Sequence, residues 1–116
     1  MQSIQRINVE KRLSDVAVYN GVAYLAGQIP EDASLDMTGQ TEQVLSIIDQ
    51  LLEVAGTNKS RILMAQIFIS NMAEFDAMNK AWDAWVDQGN APPRATVEAR
   101  LANPNFKVEI VVTAAV

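Results

Sequence analysis

The pair Asn20-Gly21 restricts the fold of this chain more than any other feature, because it sits between the apolar runs Val16-Ala17-Val18-Tyr19 and Val22-Ala23-Tyr24-Leu25-Ala26. Both residues tolerate positive φ, and Asn-Gly between two such runs is the strongest short-range signal of an antiparallel hairpin. The rest of the chain must extend or cover that sheet. Ser3 to Val9 alternates weakly and is expected to add an edge strand on the N-terminal side. Gly27-Gln28-Ile29-Pro30 closes the hairpin, and an acidic loop from Glu31 to Asp36 follows.

Downstream the hydrophobic period changes. Val44, Ile47, Ile48, Leu51, Leu52 and Ala55 form one helical stripe, which predicts a helix from about Gln40 to Ala55, capped by Thr38 and stopped by Gly56. Ile62 to Ser70 has little polar interruption and reads as a buried strand. Asn71, with Glu74 three residues later, has the capping-box pattern of a second helix. Phe75, Met78, Trp82 and Trp85 would share one face of that helix, which is expected to end at Gly89. Two further strands are expected, Arg94 to Leu101 and Lys107 to Ala115, joined by Ala102-Asn103-Pro104-Asn105.

The resulting order, β-β-β-α-β-α-β-β, predicts a single α+β domain over residues 1–116, with two helices on one face of a six-stranded mixed sheet. Two helical stripes cover one face only. The other would present Val, Ile, Ala and Thr from several strands, too apolar for a monomer surface, so a closed homo-oligomer is expected.

Composition narrows the chemistry. The chain has no His and no Cys, which removes the commonest general base and metal ligand, the thiol nucleophile and the thiolate zinc site, so no metal is expected. Its formal net charge is -5 at pH 7, without any run of Lys or Arg, a poor match for a nucleic-acid backbone. Met1 to Arg12 is polar and lacks a signal-peptide core, and no apolar run approaches the roughly 18 residues of a membrane span, so a cytoplasmic protein is expected.

Among the few groups left, Arg94 follows Pro92-Pro93, which stiffen the chain at the mouth of a strand. A guanidinium presented in this way can grip a carboxylate through two parallel hydrogen bonds, or it can be a surface arginine in an ordinary salt bridge. Strand alternation puts Arg94, Thr96, Glu98 and Arg100 on one face. Glu109 lies in the most apolar strand, Val108-Glu109-Ile110-Val111-Val112. A carboxylate there would be partly desolvated, the setting of many proton-transfer groups, or it would pair with Arg94, Arg100 or Lys107. Glu98 is a weaker candidate and more naturally a cross-strand charge partner. Ser14, Thr96 and Tyr19 have no base beside them to activate a hydroxyl, and Trp82 and Trp85 have core spacing. Asp32, Asp36 and Glu31 lack the pattern of a calcium loop.

Taken in order, Gly27-Gln28-Ile29-Pro30, the helix end Ala55-Gly56, Phe75 with Asn79, Pro93-Arg94 and Lys107-Val108-Glu109-Ile110 resemble the RidA (YjgF) family of reactive-intermediate imine deaminases. The runs Met78 to Trp85 and Asn103 to Ile110 look most like its YoaB-like branch. The resemblance implies a chorismate-mutase-like fold assembled as a homotrimeric barrel, with cofactor-free sites between subunits. It also implies hydrolysis of small 2-imino and enamine acids, such as 2-aminoacrylate, to 2-oxo acids and ammonia. Arg94 would hold the substrate carboxylate with help from the Thr96 N–H, Glu109 would position water, and Ala26 and Gly27 would approach from the neighbouring chain. Leu13 falls where many members carry a site tyrosine, and Ala91 stands near the place of an aromatic residue often found before the proline. The same pocket could instead belong to a binding or sensing module for 2-oxo acids or other small carboxylates.

Overall fold

A computed structural model describes residues 3–116, so Met1 and Gln2 of the polar N-terminal stretch lie outside the described residues. The hairpin forms as its turn chemistry requires. β1 (Gln5–Val9) pairs antiparallel with β2 (Ser14–Tyr19), and β2 pairs with β3 (Val22–Leu25) across Asn20 and Gly21, whose φ values are 54° and 77°. Then come α1 (Met37–Val54), β4 (Ile62–Ile69), α2 (Phe75–Trp85), β5 (Arg94–Glu98) and β6 (Val108–Ala115). The sheet is open, with six strands in the order β1-β2-β3-β6-β4-β5, and only β4 and β5 run parallel, as a β-α-β crossover through α2. β6 enters the middle of the sheet, and β1 and β5 are its edges.

Several boundaries differ from expectation, each for a local reason. α1 begins at Met37, not near Gln40, and its cap is Asp36, whose Oδ1 accepts from Gly39 N–H at 2.8 Å. Thr38, the expected cap, is already inside the helix and donates its hydroxyl to the Ala77 carbonyl at 2.8 Å, tying α1 to α2. Asn71 does cap a turn, accepting from Ala73 N–H at 3.0 Å, but that turn is a short 3-10 segment over Met72–Glu74. Glu74 makes no side-chain cap, so no capping box closes, and α2 starts at Phe75. It ends at Trp85, because Val86 already has extended ψ, well before Gly89. β5 stops at Glu98 rather than Leu101 because its only partner, β4, ends at Ile69; the last bond runs from Ala99 N–H to the Ile69 carbonyl at 3.0 Å. β6 begins at Val108, one residue later than expected.

Both helices lie on one side of the sheet. Alternate residues of the central strands, among them Ala23, Ala65, Ile67, Ile110 and Ala114, are fully buried beneath Val44, Ile48, Leu52 and Met78. The opposite face has no cover in the chain: Tyr24, Met64 and Val97 remain 52%, 44% and 48% exposed. Gln40 is the main polar group of the interior. Fully buried, it donates from Nε2 to the carbonyls of Ala33, Leu35 and Asn105 at 3.0–3.1 Å and accepts at Oε1 from Lys107 N–H at 2.8 Å. One side chain thus holds the acidic loop and the approach to β6 against α1. Among the described residues no helix is long and apolar enough to cross a membrane.

Candidate functional site

The start of β5 is pinned to β4 by the Pro93 carbonyl, which accepts from Ala65 N–H at 3.0 Å, with Arg94 beside Ala65 and Thr96 beside Ile67. Ala65 and Ile67 face the helices, so Arg94 and Thr96 face them too. The Arg94 guanidinium carbon lies 5.2 Å from the Trp82 ring centre and 5.9 Å from that of Phe75. Its Nη1 is buried without a hydrogen-bond partner. Asn79 Oδ1 shares that condition, and Asn79 stands one turn after Phe75 and three residues before Trp82, on the same stripe of α2. Each is a polar atom whose hydrogen-bonding capacity the chain itself leaves open. The Pro93 carbonyl and the Ala99 N–H both turn toward β4, so by alternation the backbone groups of Arg94, Thr96 and Glu98 turn to the free sheet edge. The Thr96 N–H is therefore available there.

Glu109 is on the other side. It sits between fully buried Val108 and Ile110 and opposite Phe68, so its side chain projects from the uncovered face, where it is half-buried. Its carboxylate rests on Gly27: a Cβ at Gly27 would overlap the carboxylate and stand 3.0 Å from Cδ and 3.2 Å from Cγ. The backbone beneath is clamped. Gln28 and Ile110 exchange hydrogen bonds of 2.8 and 3.1 Å, and the Gln28 side chain donates to the Ala26 carbonyl at 2.9 Å. Ala26 N–H donates to the Asp15 carbonyl at 2.9 Å, which brings the β1–β2 turn alongside; Leu13, in that turn, is 50% exposed.

The sequence candidates therefore form two groups. Arg94 and Thr96, joined by Phe75, Asn79 and Trp82, occupy the helix side and free edge of β5, whereas Glu109, Gly27, Ala26 and Leu13 gather at the β3–β6 end of the open face. Within one chain the sheet separates Arg94 from Glu109, and neither an ion pair nor a shared pocket joins them. Glu98 is not the expected cross-strand charge partner: its Oε2 accepts from Met72 N–H at 2.8 Å and holds the turn before α2. A cleft of about 370 Å³ beside it, lined by Ser70, Arg100, Asn103 and Phe106 among others, contains neither Arg94 nor Glu109. Among the described residues no cluster of His, Cys, Asp and Glu has the makings of a metal site. Asn79, an amide in the apolar stripe Phe75-Asn79-Trp82, is a polar interruption visible in the sequence, and Trp82, whose spacing is that of a core residue, also lies against Arg94.

The sequence model of the family described as Endoribonuclease L-PSP matches residues 3–116. A RutC family protein of Haemophilus ducreyi is 61% identical over 113 residues, 97% of each chain. The RutC family protein YoaB of Escherichia coli is 51% identical over 114 residues, covering 98% of this chain and 99% of that one. Among solved structures, a YjgF-family protein from Neisseria meningitidis superposes with a TM-score of 0.95 at 40% identity, covering 97% of this chain and 94% of its own. A Salmonella typhimurium protein proposed to inhibit translation initiation gives 0.91 at 53% identity, over 98% of both chains.

Proposed function

Because the chain belongs to the RidA/YjgF family, that of the RutC proteins, we propose that it is a hydrolytic deaminase of small 2-imino and enamine acids, acting as a homotrimer with sites between subunits. The observation that carries this reading is the Arg94 guanidinium, held beside a free strand edge with a buried, unpartnered Nη1. A substrate carboxylate would satisfy that donor through the guanidinium fork and take a further hydrogen bond from the Thr96 N–H. Since Glu109 and Gly27 lie across the sheet from Arg94, a complete site needs the open face of one copy against the β5 edge of the next. The apolar open face supports such an assembly, since trimer formation would remove Tyr24, Met64 and Val97 from water.

The reaction suits these residues. A protonated 2-imino acid is already electrophilic at C2, and its carboxylate on Arg94 fixes that carbon relative to Glu109 of the partner subunit. Glu109 accepts a proton from water as the oxygen adds to C2, and the C=N π electrons move onto nitrogen. The resulting carbinolamine receives that proton at nitrogen. Its C–N bond then breaks as C2=O forms, the hydroxyl proton passing to Glu109 and from there to the departing ammonia, so that the 2-oxo acid and ammonium leave. Water is consumed and no electron is gained or lost. The test is ammonia release from enzymatically generated 2-aminoacrylate. Wild type should accelerate it over buffer, and Arg94→Ala should lower kcat/KM by at least about a hundredfold, as expected for loss of a charged anchor. No acceleration by the wild type would refute the reading.

A second reading, a module that binds 2-oxo acids or other small carboxylates without turnover, is favoured by the separation of Arg94 from Glu109 within each chain. Thermal stabilisation by 2-oxobutyrate with no deaminase activity would select it. Cleavage of RNA has less support here. The chain has no His, and the outer sides of the helices carry exposed Glu42, Asp49, Glu53, Asp76 and Asp83.

A further inference from the structure

A half-buried guanidinium ordinarily meets a carboxylate, because an unpaired charge away from water is costly. Arg94 does not. Among the described residues no hydrogen bond or ion pair reaches its side chain, and what lies against it are the rings of Trp82 at 5.2 Å and Phe75 at 5.9 Å. The negative face of an aromatic ring attracts a cation without occupying its N–H donors. Those donors lie in the guanidinium plane, and Nη1 among them has no hydrogen-bond partner in the chain. A carboxylate holding Arg94 from within the chain would have to be displaced by every incoming acid; a ring need not be.

The platform is itself braced. Trp82 is 4% exposed and tilts at 53° against Trp85, with ring centres 5.4 Å apart. Trp85 in turn donates its Nε1–H to Asp49 Oδ2 at 2.9 Å on α1. Lys59 lies over the Trp85 ring at 5.2 Å and donates to the Trp85 carbonyl at 2.6 Å, closing the end of α2.

We infer that Trp82 and Phe75 are positioning residues, an aromatic platform that orients Arg94 and leaves its charge un-neutralised for the carboxylate of a ligand. The inference rests on the reading of Arg94 as the carboxylate anchor, and its test separates the two. Calorimetric titration with 2-oxobutyrate is carried out on the wild type, Arg94→Ala, Trp82→Phe, Trp82→Leu and Phe75→Leu, alongside thermal melts. Arg94→Ala should abolish binding. Trp82→Leu should weaken it about tenfold and Phe75→Leu by a smaller factor, whereas Trp82→Phe, which keeps a π face, should stay within about threefold of wild type. Both Trp82 variants should lower the melting temperature, so rescue of binding by Phe alone distinguishes the ring from mere packing. Should Trp82→Leu fail to fold, Phe75→Leu against Phe75→Tyr carries the same comparison. Unchanged binding in Arg94→Ala overturns the anchor itself. Loss in Arg94→Ala with wild-type affinity in both leucine variants overturns the platform and leaves the anchor standing. Equal loss in Trp82→Phe and Trp82→Leu also overturns the platform.

Discussion

Gly27 lacks a side chain at a place where a methyl group would overlap the Glu109 carboxylate, and its own φ is not in the left-handed region. Its value lies in the space it leaves rather than in backbone freedom. Gly27→Ala keeps an accessible backbone conformation and pushes aside only the end of a flexible side chain. The melting temperature should therefore change by no more than a few degrees, while kcat for imine hydrolysis falls about tenfold or more, because a carboxylate displaced by an ångström no longer aligns water. The affinity for 2-oxobutyrate, which depends on Arg94, should stay within about twofold. A variant with wild-type kcat would dissociate Gly27 from the placement of Glu109. At this scale Arg94 and Glu109 are visible as candidates from residue type and neighbours, whereas Thr96 and Gly27 enter only through the family resemblance. The roles of Asn79 and Trp82 are not visible in this way, since a side chain on a helix stripe reads as core until the cation across from it is located.

Elements followed their hydrophobic periods, and their ends followed contacts the periods do not encode. The β-β-β-α-β-α-β-β order appears as expected, yet α1 is capped by Asp36 and β5 stops where β4 runs out. Gln40 shows how such joints are held, since four backbone groups from two loops converge on one amide. Gln40→Leu would leave three carbonyls and one N–H without that partner inside the protein. Denaturant unfolding should report a loss of at least about 3 kcal/mol, with the loop before β6 the first region to exchange amide hydrogens. A loss below about 1 kcal/mol would mean that water replaces the amide without cost.

For the whole molecule, one sheet with helices on one side leaves Tyr24, Met64 and Val97 in the open, and the proposed trimer is what would cover them. In sedimentation the wild type should run at the mass of three 12.7 kDa chains. The double variant Met64→Glu, Val97→Glu should run as a monomer with an unchanged circular dichroism spectrum and without deaminase activity, since carboxylates in a dry interface cost more than the assembly can offset. A monomeric wild type would remove the shared site. What the amino-acid sequence determined by itself was local: the hairpin at Asn20-Gly21, the helical stripes, the count of strands, and the poverty of catalytic groups that leaves an arginine and a glutamate as candidates. These depend on φ preference and on side-chain period, which are properties of neighbours along the chain. Only the tertiary structure decided that Arg94 and Glu109 stand on opposite faces of one sheet. That separation depends on β6 inserting between β3 and β4, a pairing of residues far apart in sequence, and on the parity with which each strand presents its side chains.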